Sequence, residues 1–600
     1  MYVLSNIIRV NMNDLSIKKE PVPDKYKNLG GRSLTSSIIY DEVPPTCEPL
    51  GPFNKFIVAP GIVTGSNAPS SGRLSVGGKS PLTHGIKEAN AGGITPQKLA
   101  RLGIKAIIIE GQPKTTDKWY NIILTKDKME LVEANEWANM GNYELIKKMW
   151  EKYPNEPGII GCGIAGQKMM RSAGVFGNNV ENSDPGRYAG RGGMGAVLGS
   201  KRVIAIISDD SGCEFTKPVN KELYDTGRKK LVAALMEHAI TGPVQKDGKP
   251  YGALSNFGTN VLHNIINEAG ALPVRNWTRG QWDGAAKISG EATHEYIDEQ
   301  KAKDPKSEAQ YSHPCHKGCV MQCSNVVTYP EGHPKAGQVA VSCLEYESVW
   351  ALGSNCEISN YWDVVELNRA CNDLGLDTIE AGNTIGVAME AGIIKFGDGP
   401  AAIDLLKKVA TNEPVGRLMG MGAVGLGQAY GVTRVAHAKG QSLPAYDPRP
   451  IKGMGVVYAV GTMGGDHTQG YTIAPEILQV GGKPDPRDLN KADLSRAFLA
   501  TTAFIDSTGY CLFTAFAILD IASGLEGMVE SVKGYLGLND FDLTQYGMDV
   551  LKKEREFNRK AGFNNADDRL PEWMTKEPLP PHNVVFDVPE EELDKVFAGM

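Results

Sequence analysis

Residues 313–325 read HPCHKGCVMQCSN and put Cys315, Cys319 and Cys323 within nine positions of one another. A fourth cysteine, Cys511, stands far downstream in AFIDSTGYC, residues 503–511. A cubane iron–sulfur cluster takes one soft sulfur donor at each of its four iron corners, so three clustered thiolates and one remote thiolate meet its demand. A structural zinc site is the competing reading, with His313 or His316 completing a tetrahedral set. Zinc sites usually pair one short Cys-x-x-Cys with another, whereas here three residues separate the cysteines twice and no second pair follows. If the thiolates hold iron, the chain moves single electrons.

The rest of the composition is that of a globular enzyme. Six hundred residues imply several domains with ample core. Ten cysteines in that length form no disulfide framework, and the first residues carry no cleaved-signal pattern, so reduced thiols and a cytoplasmic location are expected. Cys47, Cys162, Cys213 and Cys371 read as small buried hydrophobes. The net charge of −7, with no long basic block, gives no nucleic-acid footprint. The richest late apolar stretch, CLFTAFAILDIASG, is interrupted by Asp520, so no membrane span is expected.

The first 210 residues read as β-rich. NIIRVNM, FIVAP, KAIIIEG, YNIILT and RVIAIIS are strand-like runs punctuated by Gly, Pro and Asn. Two glycine-rich segments interrupt them, at 70–93 and 186–201; neither is a dinucleotide fingerprint, and a P-loop is absent. Beyond about residue 215 the pattern turns helical, at 220–240, 259–269, 361–373, 378–391, 401–410 and 494–505. Residues 275–314 read as an irregular polar loop leading into the cysteine triplet. The last 35 residues read as a tail packed over the surface.

A short echo links two distant segments. ACNDLGLDT (370–378) and FIDSTGYCL (504–512) each follow an amphipathic helix, with a glycine three residues after Asn372 or Asp506 and Asp377 or Cys511 two residues later. Gly375 and Gly509 suit the left-handed position past a helix C-terminus, and Asp377 suits the N-cap of the next helix. Capping alone accounts for the layout; the functional alternative is two matching turns, each gripping half of a pseudo-symmetric ligand.

With these pieces in order, the chain resembles the tungsten-dependent aldehyde:ferredoxin oxidoreductase family. The resemblance spans most of the chain: GGRSL, SGRLSV…KSPLT…EANAGG, AGRGGMGAVLGSK, LPVRNW, the triplet ending in CSN, LEYESVWALGSNC, NDLGLDT, LPAYDPR, GDHTQGYT and DSTGYC. It implies an α+β multidomain fold: a β-rich base domain at 1–210, a helical domain at 211–435 with the triplet and first turn, and a helical domain at 436–600 with the second turn and Cys511. It implies a tungsten, or molybdenum, bis-pyranopterin, one [4Fe-4S] cluster on Cys315, Cys319, Cys323 and Cys511, and a Mg2+ linking the pterin phosphates. Asn372, Asp377, Asp506 and Tyr510 match the paired pterin-binding turns, where the family commonly begins the first turn with Asp rather than Asn372. Arg73 matches the arginine between cluster and pterin, and Asn90, in EANAGG with Gly92 and Gly93, a carbonyl ligand of the magnesium. Arg187, Arg191 and Gly192 fall in the second glycine-rich segment, where amides and guanidinium forks favour phosphate.

For chemistry, Glu347 and His467 match an acid/base pair near the metal, suited to removing a proton from water and donating to a carbonyl oxygen. Glu345 is an equally placed alternative to Glu347, and Asp466 could orient His467. Cys356, nine residues after Glu347, is a candidate tungsten ligand of the kind the benzoyl-coenzyme A reductase branch uses, or a buried small hydrophobe. The leading expectation is oxidation of an aldehyde to a carboxylic acid, with electrons leaving to ferredoxin or an iron–sulfur partner subunit in an oligomer or heteromeric complex. The alternative is low-potential reduction of an aromatic acyl-coenzyme A.

Overall fold

All five apolar runs of the first 210 residues become strands in the computed structural model, which describes residues 5–180, 182–243 and 252–600. They lie in two six-stranded mixed sheets. The first has the order Ser16–Pro21, Asn6–Asn11, Ile104–Glu110, Phe56–Pro60, Leu74–Lys79, Ile86–Ala91. The second runs Arg187–Ala189, Val175–Gly177, Gly158–Cys162, Val203–Asp209, Tyr120–Thr125, Met129–Glu133. Each sheet has one parallel pair, Asn6–Asn11 with Ile104–Glu110 and Val203–Asp209 with Tyr120–Thr125.

Strand periodicity explains the layering, because successive side chains leave opposite faces. Phe56 and Val58 of one sheet meet Ile122, Ile160 and Ile206 of the other in a shared core. Ile57 and Ala59 point the other way, onto Leu34, Ile38 and Ile39 of the Gly31–Glu42 helix. Ile159, Ile204 and Ile207 cover Leu145, Ile146 and Met149 of the Asn142–Lys152 helix. The central strands are buried on both faces, which is why they read as continuous apolar runs.

The helical readings after residue 215 hold, including Lys221–Glu237, Tyr361–Leu374, Thr378–Glu390 and Ala492–Thr508. The stretch read as an irregular loop differs. It contains a 3-10 turn at Asp283–Ile288, an α-helix at Gly290–Lys303 and a strand at Gln310–His313. Ser289 caps that helix by accepting from the amide of Ala292. Gly290, Thr293 and Ile297 are the helix residues it buries, so its sequence looks polar throughout. The tail packs more deeply than a surface cover: Phe586, Leu593, Val596 and Phe597 join the largest hydrophobic core.

Both echo turns are seated on the sheet-bearing region. The first lies against residues 172–174: Gly174 N–H donates to Gly375 O at 3.0 Å, and Asp377 N–H to Ser172 O at 2.9 Å. The second lies against residues 61–63: Ile62 N–H donates to Ser507 O at 3.0 Å and Val63 N–H to Thr508 O at 2.8 Å. A buried fork fixes the same side, with Arg32 Nε and Nη2 donating to the two carboxylate oxygens of Glu554 at 2.9 and 2.8 Å.

Gly61 carries this docking. A Cβ there would stand 2.1 Å from both the Cα and the N of Gly509, so backbone meets backbone with no flexible side chain to yield. Gly61→Ala is expected to lower stability by about 3 kcal/mol, the upper end of overpacking costs, because it displaces the turn that contains Gly509. The melting temperature of the variant checks this; a wild-type value would contradict it.

Candidate active site

The two turns end as their sequences dictate. The Tyr361–Leu374 helix stops at Gly375, φ +81°, and the Ala492–Thr508 helix at Gly509, φ +92°. Asp377 caps the next helix, its Oδ1 accepting from Ile379 N–H at 2.9 Å, while its Oδ2 accepts from Arg191 Nε at 3.2 Å. Asn372 and Asp506, the matching first positions, both line one cavity of about 330 Å³, as does Asp377. The carbonyl of Asn372 accepts from Tyr188 Oη at 2.5 Å and Asn142 Nδ2 at 2.8 Å. Asp506 accepts from Arg32 Nη1 at 3.4 Å. Burial lifts both Asp377 and Asp506 above the usual carboxylate range despite these arginines.

The four thiols gather at the same cavity. Cys315, Cys323 and Cys511 line it. Cys319 stands behind, its sulfur within 4.8 Å of the sulfur of Cys315 and a ring nitrogen of His316. Ser70 ties the remote segments together: its N–H donates to Gly318 O at 2.9 Å, its carbonyl accepts from Cys511 N–H at 2.8 Å, and its Oγ accepts from Val320 N–H at 3.1 Å. Hydrogen bonding from Cys319, with His316 and Arg73 beyond, pulls the Cys315 thiol well down, while burial pushes Cys511 up to about 11. Arg73 supplies positive charge beside these sulfurs and donates from Nε to Asn90 Oδ1 at 2.6 Å. Gly92 lets the sulfur loop approach, since a Cβ there would lie 3.1 Å from Cys315 O and 3.4 Å from its Sγ.

Across the cavity stand Glu347 and His467. His467 Nε2 lies 3.4 Å from Glu347 Oε1, and the other Glu347 oxygen accepts from Ala445 N–H at 3.0 Å. Glu347 Oε1 and His467 Nδ1 have no hydrogen-bond partner. Burial raises Glu347 to about 8 and lowers His467 to about 4, so between those values both groups are uncharged and the pair keeps the carboxyl proton. Glu345 also lines the cavity, but both its oxygens are engaged, by Cys343 Sγ and Thr259 Oγ1. Asp466 makes no hydrogen bond to the His467 ring: its Oδ1 lies 3.8 Å from His467 Nδ1. It accepts instead from Lys87 Nζ at 2.7 Å and caps Thr468.

The remaining expected residues divide. Arg187 lines the cavity and donates to Asn179 Oδ1 and Ser324 Oγ. Arg191 also lines it, with its other two nitrogens bonded to the carbonyls of Gly465 and Ser442. Gly93 and Gly192 support from behind: Gly93 N–H donates to Cys315 O at 2.7 Å, and Gly192, φ +81°, leaves space for the Lys87 stem. Tyr510 is not on the wall. Its ring is buried and its hydroxyl pairs with Ser531 Oγ at 2.7 Å, so the ring does not stack on the cavity, and its N–H donates to Thr508 Oγ1. Cys356 also lies elsewhere than expected. Its Sγ lies against the carbonyls of Ala351 and Gly382 inside an apolar core, away from the cavity, because the turn at Ser354–Cys356 aims it inward. A further cysteine, Cys343, lines the cavity beside Cys315, Cys323 and Cys511, and the sequence reading passed over it. Lys87 and Glu88 were also missed: Glu88 opens EANAGG and Lys87 stands just before it, with no spacing pattern to mark either.

This wall suits a large, donor-rich metal cofactor beside a sulfur-held cluster. It offers the thiols of Cys315, Cys323 and Cys511 with Cys319 close to Cys315, buried carboxylates at both turns, and orphaned polar atoms on Glu88, Asn90, Glu347 and His467. The aldehyde ferredoxin oxidoreductase N-terminal domain matches residues 7–210, and domains 2 and 3 of that enzyme match residues 237–598. The chain is 35% identical over 599 residues to the tungsten-containing aldehyde ferredoxin oxidoreductase of Pyrococcus furiosus, covering 96% of this chain and 91% of that one. It is 32% identical to the enzyme of the same name from Thermococcus kodakarensis, with the same coverage. The WOR-like subunit of an aliphatic sulfonate oxidoreductase from P. furiosus is 26% identical, covering 78% of this chain and 75% of that one. The active-site complex BamBC of benzoyl coenzyme A reductase, solved with 1,5 dienoyl-CoA, shares the fold: TM-score 0.77, 17% identity, 99% of this chain and 93% of that one. Among the described residues no helix is long and apolar enough to cross a membrane. The chain therefore belongs to the aldehyde ferredoxin oxidoreductase family and is an oxidoreductase of that type.

Proposed function

We propose that this chain oxidises aldehydes to carboxylic acids with a tungsten, or molybdenum, bis-pyranopterin, and passes the electrons singly through one [4Fe-4S] cluster to ferredoxin or an iron–sulfur partner subunit. The observation that carries this reading is the meeting of two things on one cavity: the sulfurs of Cys315, Cys323 and Cys511, with Cys319 next to Cys315, and the partnerless faces of Glu347 and His467. Asp377, Asn372 and Asp506 would hold the pterin rings. Arg73, Arg187 and Arg191 would face the phosphates and the cluster, and Asn90 the magnesium.

An aldehyde and water give a carboxylate, three protons and two electrons. When bound, the metal group takes up the electron pair, which no amino-acid side chain here can accept. The residues supply the proton chemistry. Glu347 Oε1 is placed to take a proton from the attacking water, and His467 Nδ1 to hold the carbonyl oxygen. Because Glu347 is raised to about 8, it accepts a proton only above that pH.

The substrate's carbon chain has a place to go. A second cavity of about 130 Å³ shares Tyr471, Leu512 and Phe513 with the first and is otherwise lined by residues such as Phe498, Ile505, Phe516 and Leu519. No charged side chain lines it. Such a lining fits an apolar R group and gives no grip to a phosphate-bearing arm.

Metal analysis of anaerobically purified protein tests the function. Tungsten with about four irons per chain, and aldehyde-dependent reduction of a viologen dye, are expected. Zinc alone overturns the reading, and reduction of an aromatic acyl-coenzyme A without aldehyde turnover favours the alternative reductase. Cys511→Ser should lose most cluster iron and its paramagnetic signal while keeping tungsten; unchanged iron would remove Cys511 from the ligand set.

The pH profile follows from the direction of the shift. A carboxyl raised to about 8 is protonated below that value, so kcat/KM should climb with pH through about 8 and then level. Glu347→Gln should lower kcat/KM at least about a hundredfold at unchanged tungsten content. A flat profile between about pH 6 and 9.5, or an active Gln variant, contradicts the role. Leu519→Glu should cut kcat/KM for benzaldehyde about tenfold or more while sparing acetaldehyde; equal losses would remove the side cavity from substrate binding.

A further inference from the structure

The two echo turns are not equivalent in what they present. Asn372, Gly375 and Asp377 in the first align with Asp506, Gly509 and Cys511 in the second. The first turn therefore offers its carboxylate at the third position. In the second that place belongs to a sulfur which joins Cys315, Cys319 and Cys323, so the second turn is one hydrogen-bond acceptor short on its ligand side.

Glu88 brings another carboxylate to the cavity that Asp506 lines. It comes from the Ile86–Ala91 strand, which forms the edge of the first sheet, and it lines the same cavity as Asp506. Glu88 and Asn90 are two residues apart and so leave the strand on one face. Glu88 is 5% exposed, and its Oε1 makes no well-aligned hydrogen bond, with the Ser75 hydroxyl its one close side-chain donor besides the committed Arg32. The nearby Arg32 is already committed, twice to Glu554 and once to Asp506. A buried carboxylate oxygen left bare in this way is costly unless a ligand donor reaches it.

We propose that Glu88 is a cofactor-binding residue: its carboxylate, beside Asp506, accepts from the ring N–H and amino donors of the flat nitrogen heterocycle held at the second turn. This rests on the pterin reading of the cavity. One half of the ligand is then gripped by two acids from separate segments, Glu88 and Asp506. The other half is gripped by Asn372 and Asp377 from a single turn. Charge-assisted bonds to such donors are short and directional, which a lone aspartate cannot supply along a whole ring edge. Glu88 does not touch the reacting atoms and takes no part in the proton chemistry assigned to Glu347 and His467.

The test uses full-length protein, as wild type, Glu88→Gln and Glu88→Ala, purified without oxygen. Tungsten, iron, oxidised-pterin fluorescence and melting of the secondary structure are read on each. Expected is loss of pterin and tungsten together in Glu88→Gln on dialysis, about tenfold faster than wild type, with iron retained. Wild-type retention in Glu88→Gln and Glu88→Ala overturns the proposal, and so does iron leaving the isosteric Gln variant in step with the pterin, since that marks a packing role. Should Glu88→Ala fail to fold, the Gln variant decides. Wild-type protein without any pterin defeats the cofactor reading itself, a different failure from variants that match a pterin-loaded wild type.

Discussion

Ser70 is the knot on which the redox site depends. It is fully buried, sits at φ +50°, and makes hydrogen bonds through its N–H, its carbonyl and its hydroxyl to Gly318, Cys511 and Val320. Those three partners come from segments nearly two hundred residues apart in sequence. Buried backbone groups must find partners, so one residue of the base region satisfies both sulfur-bearing segments and fixes their separation. The surrounding contacts repeat the logic. Gly93 N–H holds the carbonyl of Cys315, and Ile62 and Val63 hold the end of the helix that precedes Cys511. The thiols converge because the loops leaving the strands, at 61–73 and 92–94, supply backbone hydrogen bonds at fixed places.

Electrostatics around the cavity are organised by pairing. Buried charge is tolerated when it is matched and fully hydrogen-bonded. Lys87 answers Asp466, Arg191 answers Asp377 and two carbonyls, and Arg32 answers Glu554 and Asp506. The unmatched atoms among the cavity-lining residues include one oxygen each of Glu88 and Glu347, the amide nitrogen of Asn90 and one ring nitrogen of His467. The difference between Glu345 and Glu347 shows how much this matters. Both face the cavity, yet Glu345 spends both oxygens on protein partners, and Glu347 keeps one in reserve.

Much of this was legible from residues alone, where a local rule had no competitor. The apolar runs could bury two faces only as central strands, and the glycines at 375 and 509 fell where left-handed caps require them. Three clustered thiols pointed to a ligand set, and the pairing with Cys511 came with the family resemblance. The failures lie where orientation, not identity, decides. Cys356 is close in sequence to Glu347, but a 3-10 turn rotates its sulfur into the core. Tyr510 lies between a cavity aspartate and a cavity cysteine, and its ring nonetheless points to Ser531. The Gly290–Lys303 helix hid because it buries few apolar side chains. Cys343 and Glu88 escaped because neither stands in a spacing pattern; their meaning comes from a wall assembled by strands, helices and loops together.

The short loop between the first two sulfur residues has a directional consequence. Lys317 and Gly318 are exposed, whereas Cys315 and Cys319 on either side are buried, and the carbonyl of Lys317 is pinned by Gln97 Nε2 at 2.9 Å. A Cβ on Gly318 would meet nothing within 4 Å. In the proposed reaction, electrons held at these sulfurs would have only this short loop between them and solvent on one flank, with the substrate cavity on the other, so a redox partner docking at Lys317 and Gly318 would stand nearest to them.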